Sequence, residues 1–256
     1  VGKLNSITSN GHQLAMMAAS ERLRPSARIN ELGSGISGLL NLKQLVKKVE
    51  RDVGANAILE ELSDLYALVN STKPHLLLVT GEDKVKDVEN DLVRLWSKHS
   101  SFTNAPSENL LTDSPSNIAY VISAKVNFCA AAYSTVSENH PDSPALSVLG
   151  SVLRNGFLHS EIREKGGAYG GGAMHDAANG IFRFYSYRDP RLMETFDDFQ
   201  KSLAWLASEG VSEESLEEAI IGVLGSVDAP GSPAGEIKQA YHQHLFGNWA
   251  EKREEK

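Results

Sequence analysis

The sequence contains very little cysteine, with a single residue, Cys129, among 256. One thiol cannot form an internal disulfide, and so low a cysteine content fits a reducing, intracellular compartment such as a bacterial cytoplasm or an organellar matrix. Cys129 lies in an apolar run typical of a strand. We therefore expect a packed, small hydrophobic side chain at this position and not a reactive thiol.

Long apolar runs and an excess of basic charge are also missing. No stretch approaches the roughly 18 continuous apolar residues that a membrane span requires, so no membrane partner is expected. The 25 basic and 33 acidic residues give a net charge of −8, which is the wrong sign for binding a polyphosphate backbone. A nucleic acid is therefore not an expected partner.

Several catalytic motifs are absent as well. The sequence contains no H-x-x-E-H, H-x-x-x-H, C-x-x-C or G-x-S-x-G. Its eight histidines are scattered, and the closest pair, His242 and His244, lies two apart on a predicted helix, where the side chains point to different sides. We therefore predict no metal site made by this chain alone.

One motif matches in its residue types but not in its predicted structural context. Gly33-Ser-Gly35-Ile-Ser-Gly38 matches G-x-G-x-x-G, the dinucleotide-binding fingerprint. That fingerprint requires a strand before it and a helix after it, because the pyrophosphate sits on the helix N-terminus. The preceding residues, 26–32, have the pattern of a polar helix instead. We interpret these glycines as a flexible junction between helices.

The first part of the chain, residues 1–110, is predicted to be mainly helical. Residues 6–70 predict three helices, and residues 82–98 predict an amphipathic helix. Between them, the apolar run 73–81 is bounded by proline and glycine and predicts a short buried strand. A stretch rich in Ser, Thr, Asn and Pro follows, and we place a domain boundary there.

The second part, residues 111–256, is predicted to be an α+β domain. Residues 118–128 alternate apolar and polar side chains, as a half-exposed strand does, and residues 181–187 predict a second strand rich in aromatics. A helix is predicted over residues 143–165, and further helices follow the second strand. This order favours an antiparallel sheet with helices packed on one face.

The helix predicted over residues 143–165 runs into a very glycine-rich stretch, residues 166–172. Glycine is used so heavily where something comes close to the backbone or where the backbone turns sharply. On a strand that starts near Gly167, Tyr169 would project from a nearly bare surface, and its phenol could donate a hydrogen bond to a peptide carbonyl or to the oxyanion made from one. Arg163, at the helix end, would add a fixed positive charge. The expected substrate-binding residues are Gly167, Ala168, Gly170 and Gly171.

A purely structural explanation of the same stretch stays open at this point. The glycines could serve a tight approach of the helix to the sheet, with Tyr169 as a half-buried aromatic residue. Arg163 would then be a solvated residue that the helix C-terminus favours. The residue types by themselves do not decide between the two explanations.

The run Arg163-Glu-Lys-Gly-Gly-Ala-Tyr169-Gly-Gly, followed by Phe184-Tyr-Ser-Tyr187-Arg188-Asp189-Pro190, resembles the C-terminal half of the presequence-protease branch of the pitrilysin/insulinase zinc peptidases. Residues 9–12, Ser-Asn-Gly-His, and residues 39–45, Leu-Leu-Asn-Leu-Lys-Gln-Leu, also resemble that branch. The resemblance therefore covers most of the chain. Its specific signal is the Arg-x₅-Tyr spacing within a Gly-Gly-Ala-Tyr context.

This resemblance implies four related α+β units in two halves that close around an unfolded peptide. The N-terminal half holds zinc on an inverted H-x-x-E-H helix plus a distal glutamate. The C-terminal half supplies the arginine and tyrosine of the R-x₅-Y positions, here Arg163 and Tyr169. Their implied catalytic role is to grip the substrate backbone and to stabilise the tetrahedral transition state.

The chain would then contain the end of the third unit, over residues 1–110, and most of the fourth, over residues 111–256. Both ends look cut from a longer protein, and the last unit is expected to be truncated, because the family's final helix and strand are missing. The implied partners are an unfolded peptide substrate and the N-terminal half of the same polypeptide. Without the zinc motif, the fragment is expected to hold no cofactor and to cleave nothing alone.

An alternative from another functional class is a non-catalytic scaffold or assembly subunit of the same superfamily. Such a protein has no need of a catalytic arginine and tyrosine, so the presence of both Arg163 and Tyr169 argues against it. The expected function is therefore the substrate-binding C-terminal portion of a zinc metalloendopeptidase that degrades short unstructured peptides.

Overall fold

The computed structural model of the protein describes residues 7–50, 55–71, 76–96, 117–227 and 231–246. They divide into two compact units. The first contains the described residues up to Asn41 and from 117 to 227, and the second contains those from Leu42 to 96 and from 231 to 246. The first unit thus draws residues from both sides of the predicted boundary near residue 110. The assignment of residues 1–110 and 111–256 to the third and fourth family units stays a prediction.

The N-terminal part is helical, as predicted, but with more helices than the sequence pattern indicates. These are α1 (Ile7–Ser20), α2 (Pro25–Ser34), α3 (Ile36–Glu50) and α4 (Ala55–Asn70), followed by a 3₁₀ turn (Glu82–Lys84) and α5 (Val85–Trp96). The strand predicted over residues 73–81 is wrong for its described part, 76–81, which has no regular structure. In the second unit none of the described residues forms a strand, so this run has no partner for ladder hydrogen bonds.

The G-x-G-x-x-G run lies at the junction of α2 and α3, as predicted. Gly35 separates the two helices, and a Cβ there would lie 1.8 Å from a carboxylate oxygen of Glu31. The other oxygen of that carboxylate, Oε1, accepts a hydrogen bond from the Ser37 N–H at 2.9 Å, at the start of α3. The glycine therefore makes room for a buried carboxylate that caps the next helix, and it leaves no phosphate site there.

The sheet has three antiparallel strands in the order β1-β3-β2: β1 (Ala130–Ser134), β2 (Gly170–Asp176) and β3 (Ile181–Tyr187). The strand predicted over residues 181–187 is confirmed as β3. The strand predicted over residues 118–128 is wrong, because only Asn127 pairs there, through an isolated bridge to Asp189. The left-handed backbone of Arg188 (φ 50°) ends β3, so the residues before β1 find no continuing strand to pair with.

The core lies on one face of the sheet, beneath three helical segments. These are α6 (Ser143–Leu153), a π-helix that continues it without a break (Arg154–Lys165), and α7 (Met193–Glu209); α8 (Glu213–Val227) packs on α6. The helix predicted over residues 143–165 is thus confirmed, although its second half is wound more widely than an α-helix. The buried core residues are Cys129, Leu153, Leu158, Ile162, Ala168, Ala173, Phe182, Phe184 and Phe199. Burial raises the pKa of the Cys129 thiol, and the prediction of a packed side chain is confirmed.

The opposite face of the sheet is covered in part by α1. The His12 ring lies 4.7 Å from the Tyr187 ring, and Arg183 Nε donates to Ser20 Oγ at 2.8 Å. The predicted α+β class with an antiparallel sheet is confirmed, and α1 adds a helix on the second face. The remaining helix, α9 (Pro233–Phe246), belongs to the second unit.

Candidate functional site

The site predicted from the sequence begins in the last turn of the π-helix, which carries Arg163. A π-helix is rare and is found mostly as single-turn insertions, frequently at functional sites. The Arg163 side chain is exposed, and its Nη1 lies 3.3 Å from Nε2 of His159, one turn earlier. The guanidinium therefore keeps most of its donors available for a ligand.

The chain leaves this helix through a tight turn at Gly166 and Gly167. Gly167 N donates to the Arg163 carbonyl and Ala168 N donates to the Ile162 carbonyl, each at 3.1 Å. Both bonds span one residue more than in the usual glycine-terminated end of an α-helix, which suits a π-helix. Gly167 has φ +78°, a left-handed conformation that glycine adopts without cost. The turn joins Arg163 to the sheet through a fixed backbone.

Tyr169 stands at the entry to β2. Its N–H donates to the Tyr187 carbonyl at 3.0 Å, so its backbone is already held by the sheet. Its ring meets the Tyr187 ring edge to face, with centroids 5.4 Å apart and an interplanar angle of 90°. The side chain is nevertheless 68% exposed. The phenol is therefore held at its base and open at its hydroxyl, which differs from the half-buried tyrosine of the structural explanation.

Some residues around Tyr169 fit the structural explanation of the glycine-rich stretch, and others fit the substrate-binding explanation. A Cβ on Gly171 would lie 2.8 Å from a methyl group of Ile162, so this glycine admits the π-helix against the strand. Ala168 is buried. A Cβ on Gly170 would meet nothing within 4 Å. Of the four predicted substrate-binding residues, Gly170 has open surroundings and Gly167 is exposed beside Pro190, whereas Ala168 and Gly171 face the core.

The strand begins later than predicted, and this changes which side chains share a face. β2 starts at Gly170, because the preceding residues are used by the helix end. Gly171 pairs with the buried Ser186, whereas the Tyr169 ring contacts Tyr187 on the other face. Tyr169 and Gly171 therefore lie on different faces, although they are two residues apart.

The surroundings of Tyr169 are aromatic. Tyr187 contacts the rings of Tyr169, His12 and Phe128, and the Arg188 guanidinium carbon lies 5.4 Å from the Tyr187 centroid. Burial lowers the pKa of His12 below its ordinary value, so its imidazole is neutral at pH 7. The result is a mostly neutral aromatic base beneath an exposed phenol.

The residues present do not form a site for the metal that the family resemblance implies. In the described part of the chain, no group of three His, Cys, Asp or Glu side chains is placed to hold a metal ion. No helix among the described residues has the length and apolar character needed to cross a bilayer. Among the described residues, an apolar cleft of about 700 Å³ lies in the second unit and another of about 350 Å³ lies between α6, α7 and α8; neither is lined by Arg163 or Tyr169.

Sequence reasoning missed a group of charged residues behind the helix end. Arg191 donates from Nη2 to the Glu161 carbonyl at 3.2 Å and pairs through Nη1 with Asp198 at 3.0 Å. Asp189 and Asp198 are both buried. Asp189-Pro190 in the sequence indicated only a helix start, and a contact between residues 30 positions apart leaves no mark in local sequence spacing.

Comparison with known proteins assigns the chain to a family. The model of the PreP C-terminal domain matches residues 117–256, more than half of the chain. A mitochondrial presequence protease of Yarrowia lipolytica is 29% identical over 253 residues, covering 97% of this chain and 25% of that protein. The corresponding protein of Saccharomyces cerevisiae is 31% identical, covering 91% and 24%. A crystal structure of a peptidase M16 inactive domain from Pseudomonas fluorescens aligns with a TM-score of 0.40 and 24% identity, over 49% of this chain and 32% of that chain.

The class of protein that these relatives define is a peptidase, since both are named presequence proteases. The chain belongs to the PreP C-terminal domain family. The family predicted from the sequence is thereby confirmed. The chain spans about a quarter of the length of these two relatives.

Proposed function

We propose that this chain is the substrate-binding C-terminal portion of a zinc metalloendopeptidase that degrades short unstructured peptides. The observation that carries the proposal is Tyr169: its backbone is hydrogen-bonded into the sheet, its ring is braced by Tyr187, and its side chain is 68% exposed. A tyrosine buries its ring readily, so a braced but exposed phenol points to a ligand. Arg163 supplies an exposed cation at the preceding helix end.

The chemistry assigned to this pair is stabilisation of the transition state. When water adds to a peptide carbonyl, negative charge develops on the carbonyl oxygen. The Tyr169 hydroxyl donates a hydrogen bond to that oxygen, and the Arg163 guanidinium stabilises the charge and contacts neighbouring backbone carbonyls. Donors that are already in place need no reorganisation when the charge forms.

The remaining parts of the enzyme lie elsewhere. We propose that zinc, which would activate the water, is held by the N-terminal half of the same polypeptide. We propose an unfolded peptide as substrate and that half as partner. The relatives are named as mitochondrial proteins, and we propose an organellar compartment for this chain as well.

The test of the proposal is Tyr169→Phe in the full-length protein, assayed on an internally quenched, unstructured peptide. Loss of one oxyanion donor typically costs about 10² to 10³ in turnover, and we expect a loss of that size. Tyr66→Phe is the matched control, because the Tyr66 side chain is similarly exposed, at 72%, and lies in the second unit. An unchanged turnover in Tyr169→Phe would remove Tyr169 from the mechanism.

A second experiment addresses the isolated chain. We expect it to cleave no peptide, with or without added zinc. Chelator-sensitive hydrolysis by the isolated chain would contradict the proposal. A full-length protein that cleaves nothing while it retains Arg163 and Tyr169 would support a scaffold instead.

A further inference from the structure

Arg191 lies in the loop between β3 and α7 and is surrounded by buried acid groups. Its Nη1 pairs with Asp198 Oδ2 at 3.0 Å, and its Nε lies 3.8 Å from Asp189 Oδ1. Both carboxylates are buried, and three-quarters of the Arg191 side chain is shielded from solvent. A buried carboxylate is costly unless it is paired, so this cation is required where it is.

The same guanidinium also contacts the end of the π-helix. Nη2 donates to the Glu161 carbonyl at 3.2 Å, in the last turn of that helix. A Cβ on Gly166 would lie 2.0 Å from Nη2, so only glycine leaves room for the guanidinium beside the helix end. A cation at a helix C-terminus is also favoured by the helix dipole. One side chain thus ties α7 and its loop to the backbone two residues before Arg163 and lies beside Gly166, three residues after it.

The position of Arg191 is itself fixed by its neighbours. Its carbonyl accepts from Asn127 Nδ2 at 3.0 Å, and its N–H donates to Asp189 Oδ1 at 2.9 Å. Asp189 Oδ2 in turn accepts from the buried Thr195 hydroxyl at 2.7 Å. Because both ends of the loop are held, the guanidinium is a rigid support for the helix end and not a mobile surface charge.

We propose that Arg191 is a positioning residue for the Arg163–Tyr169 pair. It fixes the last π-helical turn through the Glu161 carbonyl and so sets where the Arg163 side chain and the turn into Tyr169 lie. It acts through the helix backbone and contacts no substrate. This inference rests on the proposed function of Arg163 and Tyr169.

Arg191→Lys in the full-length protein is the primary test. A lysine keeps a cation beside Asp198, but its single ammonium cannot reach Asp198 and the Glu161 carbonyl together as the planar fork does. We expect turnover of the quenched peptide to fall by about ten- to a hundred-fold with little change in KM, because displacement of a catalytic group by about 1 Å costs rate at that scale.

A double-mutant cycle with Arg163→Ala distinguishes positioning from general destabilisation. If Arg191 acts through Arg163, adding Arg191→Lys to Arg163→Ala lowers turnover little further, whereas independent effects would multiply. Lys201→Ala is the matched control, since Lys201 Nζ lies 3.5 Å from Asp198 but makes no hydrogen bond to the π-helix among the described residues. It should leave turnover unchanged.

Gly166→Ala approaches the same contact from the helix side: it keeps Arg191 and its charge but displaces the guanidinium from the helix end. It is the variant to assay if Arg191→Lys melts below the assay temperature, and we expect the same non-additivity with Arg163→Ala. Wild-type turnover in a folded Arg191→Lys, or losses that multiply both with Arg163→Ala and with Tyr169→Phe, would overturn the inference. If Arg163→Ala and Tyr169→Phe themselves leave turnover unchanged, it is the proposed function that fails.

Discussion

Glu31 is a buried residue whose charged carboxyl group lowers the stability of the folded protein. Its side chain has no exposed surface; Oε1 accepts the Ser37 N–H, and Oε2 has no hydrogen-bond partner among the described residues. Burial raises the pKa of this carboxyl above its ordinary value of 4.5, and the nearby Glu21 raises it further. The folded protein therefore holds a proton on Glu31 more tightly than the unfolded chain does.

From this we predict that Glu31→Gln stabilises the protein at neutral pH. A raised folded-state pKa gives stability that is complete below pH 4.5 and is lost as the pH rises through the folded value. Glutamine keeps the acceptor for Ser37 and removes the charge. Urea unfolding of the chain should show a higher free energy of unfolding at pH 7, with a smaller decline above pH 4.5.

The control for this prediction is Glu60→Gln, an exposed residue of α4 that should change neither quantity. A lower stability of Glu31→Gln at pH 7 would mean that the attraction of the charge to the α3 N-terminus outweighs its burial.

At the residue scale, reasoning from the sequence selected side chains with an unusual local context. It missed a side chain that contacts the helix end through a long-range hydrogen bond. Arg163 and Tyr169 could be selected because their spacing and glycine context are unusual. Arg191 could not, because its proposed role depends on a carbonyl 30 residues earlier that the fold brings within 3.2 Å. Backbone carbonyls are the same at every position, so a sequence does not indicate which one is contacted.

At the scale of the elements, the π-helix lies close to β2 because a glycine on that strand has no side chain to keep the two apart. Gly171 on β2 faces the Ile162 side chain of the π-helix, whereas Gly170 faces open space, although the two are neighbours. Neither has a positive φ, so an alanine at either position adds a methyl group without backbone strain.

We predict that Gly171→Ala destabilises the chain by about 1 to 3 kcal/mol, the usual cost of inserting a methyl group into a filled core. Gly170→Ala should be neutral or slightly stabilising, because alanine restricts the unfolded chain and meets no neighbour. The measurement is urea unfolding of both variants. Equal effects of the two substitutions would show that the strand moves to accept the methyl group.

Among the elements, those with local boundary signals were predicted well. Residues 181–187 form β3 with the predicted bounds, between the turn at Gly180 and the left-handed Arg188. The strands predicted over residues 118–128 and 73–81 had suitable alternation or apolar character, but a strand also needs a partner. Pairing is decided by tertiary structure, which these local patterns do not contain.

At the scale of the whole molecule, the second unit presents an apolar surface. The α4 side chains Leu62, Leu65 and Leu68, which the sequence places on one helix face, are each more than half exposed. Exposed apolar side chains grouped in this way are typical of surfaces that contact another apolar surface.

We predict that the isolated chain binds the dye 8-anilinonaphthalene-1-sulfonate and that its fluorescence falls in a Leu62→Gln/Leu65→Gln variant. The same variant should keep the melting temperature of the parent, because these side chains are exposed and contribute little burial energy. Dye emission no stronger than that of a compact monomeric control would contradict this description of the surface.

The site that holds Tyr169 is compact along the chain as well as in space. The π-helix, both strands of the β2–β3 hairpin, Arg191 and Asp198 all come from one uninterrupted run between residues 143 and 198. Contacts between residues that are close in the sequence cost little chain entropy, and they form early in folding. The segment that carries Arg163, Tyr169 and Arg191 is therefore expected to fold early, as the newly made chain leaves the ribosome. The contacts of α1, which lie more than a hundred residues away in the sequence, are expected to form later.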